Sequence, residues 1–282
     1  MSKAARQRSA RERLAEERKR QAQKQQRMRA LTIAISALAI VALAVILTVY
    51  LVNRNNRNTY SGAIAPATRL ADGGILMGKP GVKAPKLEMF EDFQCPICHE
   101  MESTSGNTVK KLAAEGKVNV IYYPFWLFKQ QSEPIRGNSQ RAANAALCAP
   151  ADKWVQYHDM IYKNQPAEGS NGFSNKDLIG WANKLGFDTP AFEQCVKGLQ
   201  KQSQVDAMTT YAEQTRQVSG TPTVFLDGQS LDLTNVLLKP SALEKAVLAA
   251  KPVDATPSPA ASATPSGSVS PSASATPSKP AK

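Results

Sequence analysis

Residues 86–98 read KLEMFEDFQCPIC, and they decide the fold. The stretch 86–93 alternates and is rich in aromatic residues, which predicts a strand. A helix should follow, starting near Cys95, running to about Glu115 and stopping at Gly116. In Cys95-x-x-Cys98 the spacing of three places both sulfurs on one side of the first helical turn, close enough to bridge. A thiol there faces unpaired backbone N–H groups and the positive end of the helix dipole, and both favour the reactive thiolate. Cys95, first and more exposed, is the expected nucleophile; Cys98, one turn inside, is placed to resolve a mixed disulfide. Pro96 in the first turn loses no hydrogen bond and presets φ.

Outward from this stretch, residues 118–125 (VNVIYYPF) read as a second strand. The apolar period then becomes helical. Trp154, Tyr157, His158 and Ile161 share a face, as do Leu178, Trp181, Ala182 and Leu185, then Phe192, Cys195, Val196 and Leu199, then Val205, Met208 and Ala212. Residues 223–226 and 230–233 look like a hairpin turning at Asp227-Gly228, and 241–250 like a closing helix. The order is α/β: strand–helix–strand, a helical block, then strand–strand–helix. Gly220-Thr221-Pro222-Thr223 leads into the third strand, where Pro is tolerated. A cis Thr221–Pro222 bond would turn the chain beside the dithiol and offer the Thr221 backbone to a substrate strand.

Other uses of the cysteines stand beside exchange. A zinc site would need further ligands from Cys148, Cys195, His99 or His158, yet there is no second paired knuckle. A purely structural 95–98 bond would staple only a four-residue loop and stabilise little. Pairing 95 with 98 leaves 148 with 195, and closing a loop of about 48 residues is worth on the order of 3–4 kcal/mol. That pair reads as structural, with a relay role as the alternative. His158 reads as a packed, satisfied histidine rather than a ligand. Phe125, Trp126 and Phe128 read as packing before they read as a groove.

The ends have other roles. Residues 1–29 carry eleven Lys or Arg against three Glu, so +8 of the total +12 sits in one terminal run. No basic folded face is implied, and nucleic acid is not an expected partner. Residues 30–52 are uncharged and apolar; as a helix they reach about 34 Å, enough to cross a bilayer. The basic flank places the N-terminus in the cytoplasm and the rest outside. A cleaved signal is the rival: Ala63-Ile64-Ala65 resembles a cleavage site, but Pro66 follows, and the apolar run exceeds an h-region of about 7–15 residues. An uncleaved anchor in membrane lipid is expected. Residues 53–74 read as linker, 75–250 as the folded domain, and 251–282, rich in Pro, Ala, Ser and Thr, as a disordered tail.

FEDFQCPICHEME (90–102), WVQYHDMIY (154–162), LIGWANKLGFDTPAFEQC (178–195) and SGTPTVFLDG (219–228) together resemble the DsbA-like thiol–disulfide oxidoreductases. The variety most resembled is the membrane-anchored one of high-GC Gram-positive bacteria. The resemblance covers about residues 80–250. It implies a thioredoxin-like fold with a helical insertion at about 130–215, exchange at Cys95 and Cys98, and substrate binding at a cis Thr221-Pro222 loop. It implies a second disulfide matching Cys148 and Cys195. No cofactor or metal is expected. Partners would be reduced client proteins and a membrane reoxidase resembling DsbB or a vitamin K epoxide reductase homologue. The alternatives are the same chemistry run as reductase or isomerase, and a non-catalytic thioredoxin-like binding module of the envelope.

Two departures stand out. Family members often place His where this chain has Ile97, which cannot donate to the thiolate, so a milder oxidant is expected. They also often bury a carboxylate six residues before the first cysteine as a proton acceptor, and that position is Met89. Asp92 matches an acidic position of the anchored relatives. Glu91 replaces the missing acceptor only if its side chain turns inward.

Overall fold

The computed structural model describes residues 60–251, and the compact unit begins at Gly62. The basic segment, the apolar run 30–52 and the tail from 252 lie outside the described residues. Among those described, no helix is long and apolar enough to cross a membrane.

The sheet is built on β3 (Lys86–Glu91) and β4 (Asn119–Pro124), which run parallel. Between them α1 (Pro96–Ala114) makes the crossover, entered through Pro96 and closed at Gly116, whose φ of +74° suits glycine. After β4 come a 3-10 turn (Leu127–Gln130), α2 (Ile135–Cys148), α3 (Ala151–Lys163), α4 (Asn175–Lys184), α5 (Pro190–Lys197) and α6 (Gln202–Thr210). A π-helical turn (Tyr211–Thr215) ends this block. The chain then returns through β5 (Thr223–Leu226), antiparallel to β3, and the short β6 (Gln229–Ser230). A second π-helical turn (Leu233–Leu237) leads into α7 (Pro240–Ala249). The helical insertion thus lies between β4 and β5, as expected.

Two expectations are corrected. The stretch read as linker contains β1 (Ala67–Arg69), which pairs antiparallel with β2 (Ile75–Met77). The domain therefore starts before residue 75. Gly73, at φ +94°, turns this hairpin, and fully buried Ile75 and Met77 fasten it to β4. The sheet order is β1-β2-β4-β3-β5-β6. The second correction concerns 230–233. Asp227 and Gly228 both take positive φ, as the hairpin turn demands. The returning strand nevertheless ends at Ser230, because the Asp232 side chain accepts from the Asn235 N–H at 2.6 Å and starts a helical turn.

The sheet is buried on both faces, and the period of two along β3 divides them. Leu87 and Met89 belong to the larger core, with Met101, Val109 and Leu112 of α1, Trp154 and Ile161 of α3, and Leu243 and Val247 of α7. Phe90 points the other way, into a smaller core with Tyr123, Val205 and Met208. Phe90 stacks on Tyr123 at 4.8 Å. Truncating so buried a ring to Ala would cost roughly 3–5 kcal/mol. This two-sided burial holds the carboxyl ends of β3 and β4, where the dithiol lies, in one place.

Candidate active site

Cys95 is the N-cap of α1, in extended conformation, and its N–H donates to the Asp92 carbonyl at 2.9 Å. The Gln165 side-chain amide donates to the carbonyls of Phe93 (2.8 Å) and Cys95 (2.9 Å), pinning the loop from the helical insertion. Pro96 and Ile97 are exposed, while both cysteines are buried and free, Cys98 completely. The Thr221–Pro222 peptide is cis. The Thr221 carbonyl oxygen accepts from Cys95 Sγ at 3.3 Å, so the loop expected beside the dithiol lies against its first sulfur.

The two sulfurs differ in charge preference. The Cys98 thiol, donating to Cys95, does most to bring Cys95 down to about 6; burial opposes it, and Thr221 and the N–H groups of Cys98 and Ile97 assist. This lowering favours ionisation of Cys95 over Cys98. Burial pushes Cys98 well above the ordinary thiol range, and its bond to Cys95 and the charges of Cys95 and Glu91 push the same way. The arrangement is one activated nucleophile over one buried, protonated thiol.

Both acidic neighbours are buried, but they serve different ends. Asp92 accepts from the N–H groups of Gln94 (2.8 Å) and Leu127 (2.9 Å) and from the Ser139 hydroxyl. Burial raises it to about 7 despite these bonds. It ties the active-site loop to the turn after β4 and to α2. Glu91 does turn inward: it is 4% exposed, and its Oε2 lies 3.2 Å from His158 Nε2. His158 is packed, as expected, among Phe93, Tyr122, Trp154 and Tyr162. Its carboxylate partner was not foreseen, nor was Gln165. The signal for Glu91 was present, because alternation along β3 puts it on the same face as Met89. His158 is 67 positions from Glu91 and carries no such signal.

Cys148 and Cys195 form a disulfide, joining the end of α2 to α5 with Cα atoms 5.9 Å apart. They therefore do not complete a zinc site with the dithiol. Asn144 braces the bond, donating to the Cys195 carbonyl at 3.3 Å and accepting from the Lys201 N–H at 2.8 Å.

A dithiol at a strand-to-helix junction, facing a cis Thr-Pro loop, defines the thioredoxin-like class. The family described as Thioredoxin matches residues 71–247, and the chain belongs to it. Among solved structures, the chain is similar to the disulfide bond oxidoreductase DsbG of Mycobacterium tuberculosis, with 25% identity, TM-score 0.51, and 71% and 93% of the two chains covered. DsbA of the same organism gives 25% identity, TM-score 0.51, and coverage of 66% and 91%. MdbA, a thiol-disulfide oxidoreductase of Corynebacterium diphtheriae, shares the fold at 20% identity and TM-score 0.56, covering 68% and 98%. No curated protein matches the sequence significantly. The chain is an oxidoreductase of the DsbA type.

Proposed function

We propose that this chain is an extracytoplasmic thiol–disulfide oxidoreductase that forms or exchanges disulfides in secreted and envelope proteins through Cys95 and Cys98. The observation that carries this is the geometry of the pair: Cys95 caps α1 with its Sγ 3.3 Å from the carbonyl oxygen of the cis Thr221-Pro222 loop, and Cys98 is fully buried one turn further in. In the oxidising direction, a client thiolate attacks Cys95 of the 95–98 disulfide and Cys98 leaves. The client's second thiol then attacks its own sulfur in the mixed disulfide and releases Cys95 as thiolate. Exposed Ile97 and the Thr221-Pro222 loop flank the sulfur where an extended client segment would lie.

Residues 30–52 would hold the chain in membrane lipid, with the N-terminus cytoplasmic and the dithiol outside. A membrane reoxidase resembling DsbB or a vitamin K epoxide reductase homologue would restore the disulfide. Nucleic acid has no place in this scheme.

Expression of a Cys98→Ala variant tests it. An exchange enzyme accumulates clients as mixed disulfides on Cys95, visible on non-reducing gels and dispersed by reductant. A non-catalytic binding module traps none, and that result would end the proposal.

A further inference from the structure

Between β3, α1 and α3 the fold encloses a group of ionisable side chains with no part in thiol exchange. Glu91 stands at the end of β3, Glu102 and Lys110 on α1, and His158 on α3, and all are buried. His158 Nε2 lies 3.2 Å from Glu91 Oε2, and its Nδ1 lies 3.4 Å from Asp159. One donor atom each of Glu91, Glu102 and His158 lies within 4.8 Å of the other two. Gly106, between Glu102 and Lys110 on α1, makes room for them, because a Cβ there would collide with the Glu102 carboxylate.

Hydrogen bonding leaves this group incomplete. Glu91 Oε1 and both Glu102 oxygens are buried with no hydrogen-bond partner among the described residues. So is the hydroxyl of Tyr122, whose ring lies 4.9 Å from that of His158. Bare carboxylate oxygens are costly in such a place unless a cation, a proton or water meets them. With the His158 proton on Nδ1 and donated to Asp159, Nε2 turns a lone pair toward the carboxylates. Metal-binding histidines are held in this way, one ring nitrogen on a carboxylate and the other free to ligate. Nε2 and Glu91 Oε2 are then two acceptors 3.2 Å apart, and something positive must lie between them. A single proton there would satisfy one Glu91 oxygen and leave the other, and both of Glu102, bare.

We propose that Glu91, Glu102 and His158 bind one divalent transition-metal ion of the zinc class, which joins β3, α1 and α3. The charges call for one. Glu91, Glu102 and Asp159 carry three negative charges against the single positive charge of Lys110, whose ammonium lies 2.8 Å from Asp159 and 3.8 Å from Glu102. One divalent cation beside a neutral His158 cancels the remaining two. The donors also suit zinc: one imidazole with two carboxylates, at bond lengths of about 2.0–2.2 Å, places tetrahedral donors about 3.3 Å apart. The Nε2–Oε2 separation is already close to that. Calcium and magnesium prefer all-oxygen shells, and imidazole is a poor donor to either. The Tyr122 hydroxyl or a water takes the fourth position.

Such an ion has a structural role, because its ligands are buried and no open position faces a substrate. Strand β3 and α1 belong to the sheet and its crossover, and α3 belongs to the helical insertion, so the ion fastens one to the other. Lys110 does not displace it. Its ammonium is held on Asp159 and keeps that carboxylate as the support of His158 rather than as a ligand. Neither Cys95 nor Cys98 is among the ligands, so metal binding and thiol exchange can be tested apart.

The test uses the full-length chain carrying Cys95→Ala and Cys98→Ala, so that no free thiol competes for metal. It is produced without a histidine tag in zinc-supplemented medium, so that the ion can enter as the chain folds. Metal in the protein purified in detergent is counted by plasma mass spectrometry, and Zn2+ binding after chelator treatment is measured by competition with a chromogenic chelator. We expect about one zinc per chain. At a hundredfold excess over the dissociation constant, Zn2+ should raise the melting temperature of the stripped chain by at least about 5 °C. Glu102→Gln keeps the shape and removes a charge, and His158→Phe suits the aromatic surroundings. Each should weaken Zn2+ binding by at least about tenfold and lose the thermal shift. Glu102→Gln keeps the test decisive if His158→Phe fails to fold. His99→Gln, at the other histidine of the chain, should bind as before. A folded chain that retains no zinc and gains no stability from added Zn2+ would overturn the proposal, leaving the group to protons alone. So would binding that survives both Glu102→Gln and His158→Phe, or that is lost in His99→Gln, because the ion would then sit elsewhere.

Discussion

The chain contains two cysteine pairs, and their surroundings differ in nearly every respect. Cys148 and Cys195 lie 47 positions apart, join two helices of the insertion, and are bonded to each other. Cys95 and Cys98 lie one helical turn apart, and both are free. Around the first pair, Asn144 fixes the backbone and no charged group faces the sulfurs in the bonds described. Around the second, the Cys98 thiol and the N–H groups of the helix N-terminus lower Cys95, while burial and the charges of Cys95 and Glu91 raise Cys98. A disulfide closing a long loop constrains the unfolded chain; one closing a single turn constrains almost nothing. The contrast assigns stability to one pair and chemistry to the other.

The largest expected effect comes from removing the nucleophile. Cys95→Ser should abolish exchange with a model disulfide while leaving the melting temperature of the reduced chain within a few degrees, by calorimetry and a thiol-exchange assay on one sample. Next comes the other pair. Cys148→Ala with Cys195→Ala should lower stability by about 3–4 kcal/mol in denaturant titration, with the exchange rate of the surviving folded chain within about twofold. Loss of exchange at full stability would reverse the assignments.

The pH dependence sharpens the difference between the two free sulfurs. A thiol whose folded pKa is depressed from 9.0 to about 6 stabilises the reduced chain fully above about 9, and that stabilisation fades as pH falls through 6. Alkylation of Cys95 by iodoacetamide should accordingly rise about tenfold between pH 5 and pH 7 and then level. Mass spectrometry should find Cys98 unmodified over the same range. The smallest effect is expected at Ile97. Ile97→His supplies a donor near the thiolate at an exposed position and should lower the alkylation midpoint by about half a unit, roughly 0.7 kcal/mol.

Much of this site was legible in the sequence because its parts are local. The strand, the turn of helix and the spacing of Cys95 and Cys98 lie within thirteen consecutive residues, 86–98. The Thr221-Pro222 loop was legible from its place before a strand, and the disulfide from cysteine arithmetic. What was not legible depends on distant contacts. Strands β1 and β2 have only three residues each, too few for alternation to register, and they exist because β4 offers an edge. Gln165 reaches the loop at Cys95, and His158 reaches Glu91 at the end of β3, each from about 70 positions away. Glu102 and Lys110 sit in an ordinary charged helix sequence, and their burial follows from α3 and the sheet covering that face. The Ser230–Leu233 expectation failed on a local competitor, the capping side chain of Asp232.

If Cys95 and Cys98 form the redox pair, Cys148–Cys195 does not. Equilibrating the full-length chain in a series of glutathione buffers, then alkylating and weighing the intact protein and its peptides, tests it directly. A two-electron transition confined to Cys95 and Cys98 is expected. Its midpoint should lie between about −270 and −120 mV, the values of thioredoxin and of a strong DsbA oxidant, since a thiol near 6 lies between theirs of about 7 and 3.5. Cys148–Cys195 should stay oxidised throughout. A 95–98 pair that does not titrate, or a transition carried by 148 and 195, would contradict it.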